Sequence, residues 1–151
     1  MMRDKILNFE REASALEPGS AERQVIRDRV VAYTERFIDT IEENNAFNYT
    51  EDQGAGLYKS PISEEPISID EALTLFEEHV EKPGLNPASG GHLAYIPGGG
   101  IYQAALGDYM AAITNRYAGV FYASPGAVRM TNMLIRWIAD LVDYPESAAG
   151  N

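Results

Sequence analysis

The sequence predicts a mainly α-helical chain. Apolar residues recur every three or four positions in several segments, helix caps and breakers separate those segments, and no strand pattern runs beyond a few residues. At 151 residues, one domain is the natural prior. Hydrophobic residues make up 45% of the chain and charged residues 23%, enough apolar material for a core and too little charge for bulk disorder.

The first helix is expected from Asp4 to Leu16, weakly amphipathic, with Ile6, Leu7 and Phe9 apolar. Pro18-Gly19 breaks it, and Ser20 is positioned to cap a second helix. Ile26, Val30, Tyr33, Phe37 and Ile41 form the apolar stripe of that second helix, which stops near Asn44-Asn45. Residues 46–67 are polar and carry Gly54, Gly56, Pro61 and Pro66, so an irregular, wrapping segment is expected. Ser68-Ile69-Asp70-Glu71 is a capping box, followed by the apolar side Ile69, Leu73, Phe76 and Val80, and Pro83-Gly84 ends that helix. No Asp, Glu, Lys or Arg occurs from Gly84 to Gly107. A helix from Ile101 to about Arg116 follows, with Ala104, Ala105, Gly107, Ala111 and Ala112 small enough for close backbone packing. Tyr117 to Tyr122 is a short aromatic connection, and Ser124-Pro125 starts a last helix that runs to about Val142. The tail from Asp143 onward has no evident part in closing a fold. The helices carry apolar faces without partners in the chain.

Several functions are excluded or disfavoured. Lys+Arg 12 against Asp+Glu 23 gives a net charge of -11, which repels a phosphate backbone, so nucleic acid is not an expected partner. No apolar run reaches the length of a membrane span, and Met1 to Lys5 lacks a signal core, so a cytoplasmic protein is expected. The absence of Cys excludes disulfides, thiolate metal sites and cysteine nucleophiles. No HExxH, GxSxG or GxxxxGK[ST] pattern occurs, and no metal site is expected. Of the two histidines, His79 lies beside Glu77, Glu78 and Glu81 and reads as a solvated helix residue. His92 sits at the edge of the uncharged segment, where a structural and a functional role are equally open. Pro97-Gly98-Gly99-Gly100 before a helix reads either as an anion site or as a tight turn needing φ > 0.

The run His92-Leu93-Ala94-Tyr95-Ile96-Pro97-Gly98-Gly99-Gly100-Ile101-Tyr102-Gln103-Ala104-Ala105-Leu106-Gly107-Asp108 narrows this. With Asn115-Arg116-Tyr117-Ala118-Gly119, Ala123-Ser124-Pro125-Gly126-Ala127 and Met133 to Trp137, it resembles the group II pyridoxal-phosphate-dependent amino-acid decarboxylases, in their bacterial branch, similar to aromatic-L-amino-acid decarboxylase. The likeness is close through residues 84–145, while residues 1–83 match in layout only. The chain departs at Gly98 and Gly99, where aromatic members have Thr or Ala, and at Val128-Arg129, where they usually carry Thr-Glu.

The resemblance implies the N-terminal portion of a fold type I, α/β enzyme, with residues 1–83 as a helical dimerisation flap. Residues 84–151 would begin the large cofactor domain, ending before the loop that holds the cofactor phosphate. It implies removal of the α-carboxylate of an amino-acid substrate as CO₂ through an external aldimine on pyridoxal 5'-phosphate. The cofactor would be held mainly outside this chain, because Lys5, Lys59 and Lys82 lie in no family-like context, and no catalytic residue is expected in this portion. Tyr95, Ile96, Pro97, Gly98 and Gly99 would line the substrate pocket. Tyr117, Gly119 and Val120 would reach the pocket of the second subunit of a homodimer. The other partner implied is the remainder of the same enzyme. Two alternatives stand beside this: a lyase or aldehyde synthase of the same family, and a non-catalytic helical interaction module.

Overall fold

A computed structural model describes residues 2–96 and 98–150. The chain divides into two units, one through Gly99 and one from Gly100.

In the first unit, α1 spans Met2–Ala13 and tightens into a 3-10 turn at Ser14–Leu16. Helix α2 spans Ser20–Asp39. Its cap is Gly19 and not Ser20: Gly19 is extended, its carbonyl accepts the Arg23 N–H at 2.8 Å, and Ser20 is already helical. Ile26, Tyr33, Phe37 and Ile41 are half-buried, as their spacing predicts, while Val30 is exposed. Thr40 closes the helix, its N–H and hydroxyl both donating to the Arg36 carbonyl, and a 3-10 turn at Ile41–Glu43 carries the chain to the expected end near Asn44.

Helix α3 spans Ile69–Phe76. Ser68 caps it through its side-chain oxygen, which accepts the Glu71 N–H at 3.1 Å. The helix then widens into a π-helical turn at Glu77–Glu81. Helices α2 and α3 are joined by contacts that advance together along both: Arg29 with Asp70 at 3.4 Å, Tyr33 edge-on to Phe76 at 6.1 Å, and Arg36 with Glu77 at 2.7 Å. The two helices therefore run in the same sense. Exposed ion pairs contribute about 0–1 kcal/mol each and an aromatic pair about 0.5–1.5 kcal/mol, so the tyrosine–phenylalanine contact leads.

The segment expected to be irregular contains two ordered pieces. β1 (Phe47–Asn48) pairs antiparallel with β2 (Gly84–Leu85), Phe47 opposite Leu85 and Asn48 opposite Gly84. A 3-10 helix covers Ala55–Lys59. Two-residue strands are too short to be legible as alternation.

In the second unit, α4 spans Tyr102–Thr114 and stops at Asn115, which adopts the left-handed conformation suited to a helix end. Helix α5 spans Pro125–Leu141, with Ser124 at the cap position and Pro125 in the first turn. The Ser124 side chain makes no capping hydrogen bond.

The following tail does have a part in the fold. Arg136 donates to the carbonyls of Tyr144, Pro145 and Glu146 and pairs with Asp140 at 2.7 Å, while the Tyr144 N–H returns to the Ala139 carbonyl at 2.8 Å. Among the described residues, Ala139 is the one buried hydrophobic residue, at 5% exposure. Leu134, Trp137, Ile138 and Leu141 on the same helix stay exposed, so the apolar faces are unpartnered. No helix is long and apolar enough to cross a membrane.

Candidate functional site

The turn leading to Tyr95 is built outward from the small ladder. The Asn86 N–H donates to the Ala46 carbonyl at 3.0 Å, one step beyond the β1–β2 pairs. Asn86 then turns the chain, its Oδ1 accepting the Ala88 N–H at 3.0 Å and its carbonyl the Ser89 N–H at 3.2 Å. Ser89 is buried. Its hydroxyl donates to the Asn44 carbonyl at 2.6 Å and accepts the Gly91 N–H at 3.2 Å, and its carbonyl accepts the His92 N–H at 3.0 Å. Two neutral side chains, Asn86 and Ser89, thus fix a charge-free segment, which explains how it dispenses with ion pairs.

Beyond this anchor the chain is open to solvent. Tyr95 is 76% exposed and Ile96 99%. The Tyr95 ring stacks on the His92 imidazole, with centroids 6.0 Å apart and planes 19° from parallel. His92 is half-buried, and its Nε2 is shielded from solvent without a hydrogen-bond partner among the described residues.

Left-handed backbone falls on Tyr95, at φ 69°, while none of Gly98, Gly99 and Gly100 adopts it. Of the two readings of this stretch, the tight turn needing φ > 0 at its glycines does not hold. Gly98 has open space where a side chain would project, and Gly99 would place one in ordinary contact with Ala88 at 3.5 Å. Pro97, expected in the same turn, lies outside the described residues. Tyr95, Ile96, Gly98 and Gly99 share this one segment.

Tyr117, Gly119 and Val120 belong to the second unit. There the Tyr117 ring lies directly on Gly119, where an added Cβ would overlap its Cζ and hydroxyl oxygen. The Val120 carbonyl accepts the N–H groups of Ala123 and Ser124 and turns the chain into α5. Glycine at 119 thus leaves room for the ring, and a larger residue there would have to displace the exposed Tyr117 side chain.

A second cluster was not anticipated. Asp52 accepts the Gly54 N–H at 3.2 Å through one carboxylate oxygen and the Gly56 N–H at 3.0 Å through the other. Those two N–H groups, Gly54's first, hold the Asp52 carboxyl below the usual carboxylate range. The His79 imidazole packs over Gly56, with Nδ1 3.6 Å from Asp52. At 19% side-chain exposure His79 is not the solvated residue expected from its acidic neighbours. The spacing Asp52-x-Gly54-x-Gly56 was the available signal, since aspartate followed by glycines favours turns closed on its own carboxylate. Nearby, the Tyr33 phenol donates to Glu81, and burial first, then that hydrogen bond, raise its titration well above the ordinary range.

The residues present do not by themselves fit a phosphorylated pyridine cofactor. Lys5, Lys59 and Lys82 are all exposed and lie on three separate segments, so none is placed in a pocket as a Schiff-base lysine would be.

No family profile and no curated protein matches the chain. Among solved structures, the chain is similar to the crystal structure of Rhodiola rosea 4-hydroxyphenylacetaldehyde synthase, at 16% identity and a TM-score of 0.67. The likeness covers 84% of this chain and 27% of that one, so the chain spans about a quarter of the synthase's length. At this identity the likeness is one of fold: the mainly helical path described above is also a path taken within that enzyme.

Proposed function

We propose that the chain is the N-terminal portion of a pyridoxal-phosphate-dependent enzyme of the group II decarboxylase kind, acting at the α-carboxylate of an amino acid. The motif run from His92 to Asp108, continued at Asn115–Gly119 and Ala123–Ala127, carries this reading. The fold likeness to an aldehyde synthase supports it from an independent direction. The cofactor supplies an electron sink when bound. Since the lysines here do not fit it, its binding and the covalent chemistry are assigned to the remainder of the enzyme.

In this reading residues 1–83 are the dimerisation flap and residues 84–151 begin the large domain. Tyr95, Ile96, Pro97, Gly98 and Gly99 line the side-chain end of the substrate pocket. Tyr117, Gly119 and Val120 reach the pocket of a second subunit. The exposed apolar faces of α2 and α5 support the homodimer, because a soluble monomer rarely leaves such surface uncovered.

A second reading keeps the cofactor and changes the outcome: an aldehyde synthase, in which carboxylate loss is coupled to oxidation by O₂ and release of ammonia. The name of the structural neighbour favours it. Incubating the whole protein with pyridoxal phosphate and a panel of L-amino acids separates the two. CO₂ with a stoichiometric amine identifies the decarboxylase; CO₂ with aldehyde, ammonia and peroxide identifies the synthase. Absence of cofactor binding and of CO₂ release would leave a non-catalytic interaction module.

A further inference from the structure

We propose that His92 is a positioning residue for Tyr95, setting the face that this tyrosine presents to a bound substrate. The proposal deepens the reading above and rests on it for the pocket role of the Tyr95 turn. The contact itself is independent of that reading.

The two rings differ in how they are held. His92 is tied at its backbone to Ser89, which is buried and bonded to Asn44, so the imidazole stands on a fixed base continuous with the β1–β2 ladder. Tyr95 follows three residues later in left-handed backbone, with its ring largely in solvent. An exposed tyrosine on a turn samples several rotamers unless something selects one. The stacked imidazole, 6.0 Å away and 19° from parallel, is a contact that selects. The chemistry asked of His92 is thus a flat ring at that place. Its Nε2 is shielded and makes no hydrogen bond among the described residues, so the contact needs the ring and not a hydrogen bond from it. The proposal accordingly separates ring from nitrogen: phenylalanine at 92 should serve, and alanine should not.

The test uses the whole protein, with fluorotyrosine incorporated at position 95 and the variants His92→Ala and His92→Phe. The wild-type fluorine line should be displaced from that of free fluorotyrosine. In His92→Ala it should move toward the free position, and in His92→Phe it should stay displaced. With the amino acid that the wild type turns over best, His92→Ala should raise KM by about 2- to 10-fold, the span expected for one aromatic pair, with kcat little changed. His92→Phe should restore KM, and thermal melts should be similar throughout.

A wild-type line already at the free position, or a line unmoved in His92→Ala, overturns the proposal. So does a His92→Phe enzyme as impaired as His92→Ala, which would make Nε2 the working atom. If the wild-type protein binds no pyridoxal phosphate and releases no CO₂, the functional reading falls, and the fluorine line still decides whether His92 orders Tyr95.

Discussion

The His79 imidazole occupies the space that a side chain on Gly56 would need: a Cβ built there overlaps the ring carbon Cε1. Gly54, two residues earlier, is left-handed at φ 83°, and a Cβ there would overlap the His79 carbonyl. One histidine therefore dictates two glycines. The π-helical turn at Glu77–Glu81 contains that histidine, and the Asp52 carboxylate closes the loop that receives it.

Gly56→Ala should lower stability by roughly 1–3 kcal/mol, the usual range for overpacking. Pairing it with His79→Ala should recover part of the loss, because the overlap is with the ring. Gly54→Ala should not be rescued in this way, since its obstruction is backbone and its φ is unsuited to a Cβ. Chemical denaturation of the wild type, the two single variants and the double variant, for Gly56→Ala with His79→Ala and again for Gly54→Ala with His79→Ala, measures the coupling in each cycle.

Asp52 gives a pH dependence of known sign. Its carboxyl titrates below the unfolded value because the N–H groups of Gly54 and Gly56 favour the ionised form. Its contribution is present above the unfolded carboxylate range and is lost as pH falls through the lower folded value. Amide exchange at Gly54 and Gly56, corrected for intrinsic rates, should accelerate in that acid window. Asp52→Asn should show no such window.

Tyr33 should remain a phenol where a free tyrosine ionises. Burial and the Glu81 carboxylate raise its titration, so its contribution is present below the ordinary tyrosine range and is lost as pH rises through the folded value. An ultraviolet titration should therefore show a late-ionising phenol in the wild type that is absent in Tyr33→Phe. The same substitution should cost about 1 kcal/mol of stability, the typical worth of one hydrogen bond.

Gly98→Thr should change substrate ranking more than it changes the melt. The position has open space and is not left-handed, so threonine enters without strain. If the turn lines the pocket, the added hydroxyl and methyl should discriminate between side chains differing by a methylene or a ring by about 1–3 kcal/mol. A substrate panel in kcat/KM beside a melt tests it; an unchanged ranking would remove residue 98 from the pocket.

The 151-residue chain expressed alone should associate or aggregate. Trp137, Ile138 and Leu141 on α5 and Val25, Val31 and Ile38 on α2 are exposed together with much of the remaining apolar surface. Light scattering that returns one monomeric mass over a wide concentration range would contradict this.

What was legible in the sequence was periodic or capped. The α2 stripe, the Ser68 cap and the Pro125 start each follow from residues within one helical turn, and each stands within a few positions of its expected place. Most of what was missed depends on partners more than one helical turn away. Nothing near His79 in sequence announces Gly56, and its acidic neighbours pointed to water instead. Arg136 finds the carbonyls of Tyr144, Pro145 and Glu146 because α5 ends where it does, a geometry that local composition does not encode. The pocket segment was legible as a motif, yet Tyr95 takes the left-handed backbone and Gly98, Gly99 and Gly100 do not, because glycine permits that conformation without demanding it.

That α2 and α3 point the same way makes the chain between them a return path. Retracing the stretch from Thr40 to Arg29 is a distance of about 17 Å along a helix, which roughly five extended residues would span. The connection from Thr40 to Ser68 is several times longer than that. Its surplus falls into two parts of opposite character. Up to Lys59 it is gathered by the Asp52 turn and the His79 ring; from 60 to 67 every residue is exposed and Ile62 stands fully in solvent. The second part is slack rope: it can be cut by a protease or lengthened by insertion while the paired helices stay joined. The first part is the knot, and a nick between Asp52 and Gly56 would set His79 loose.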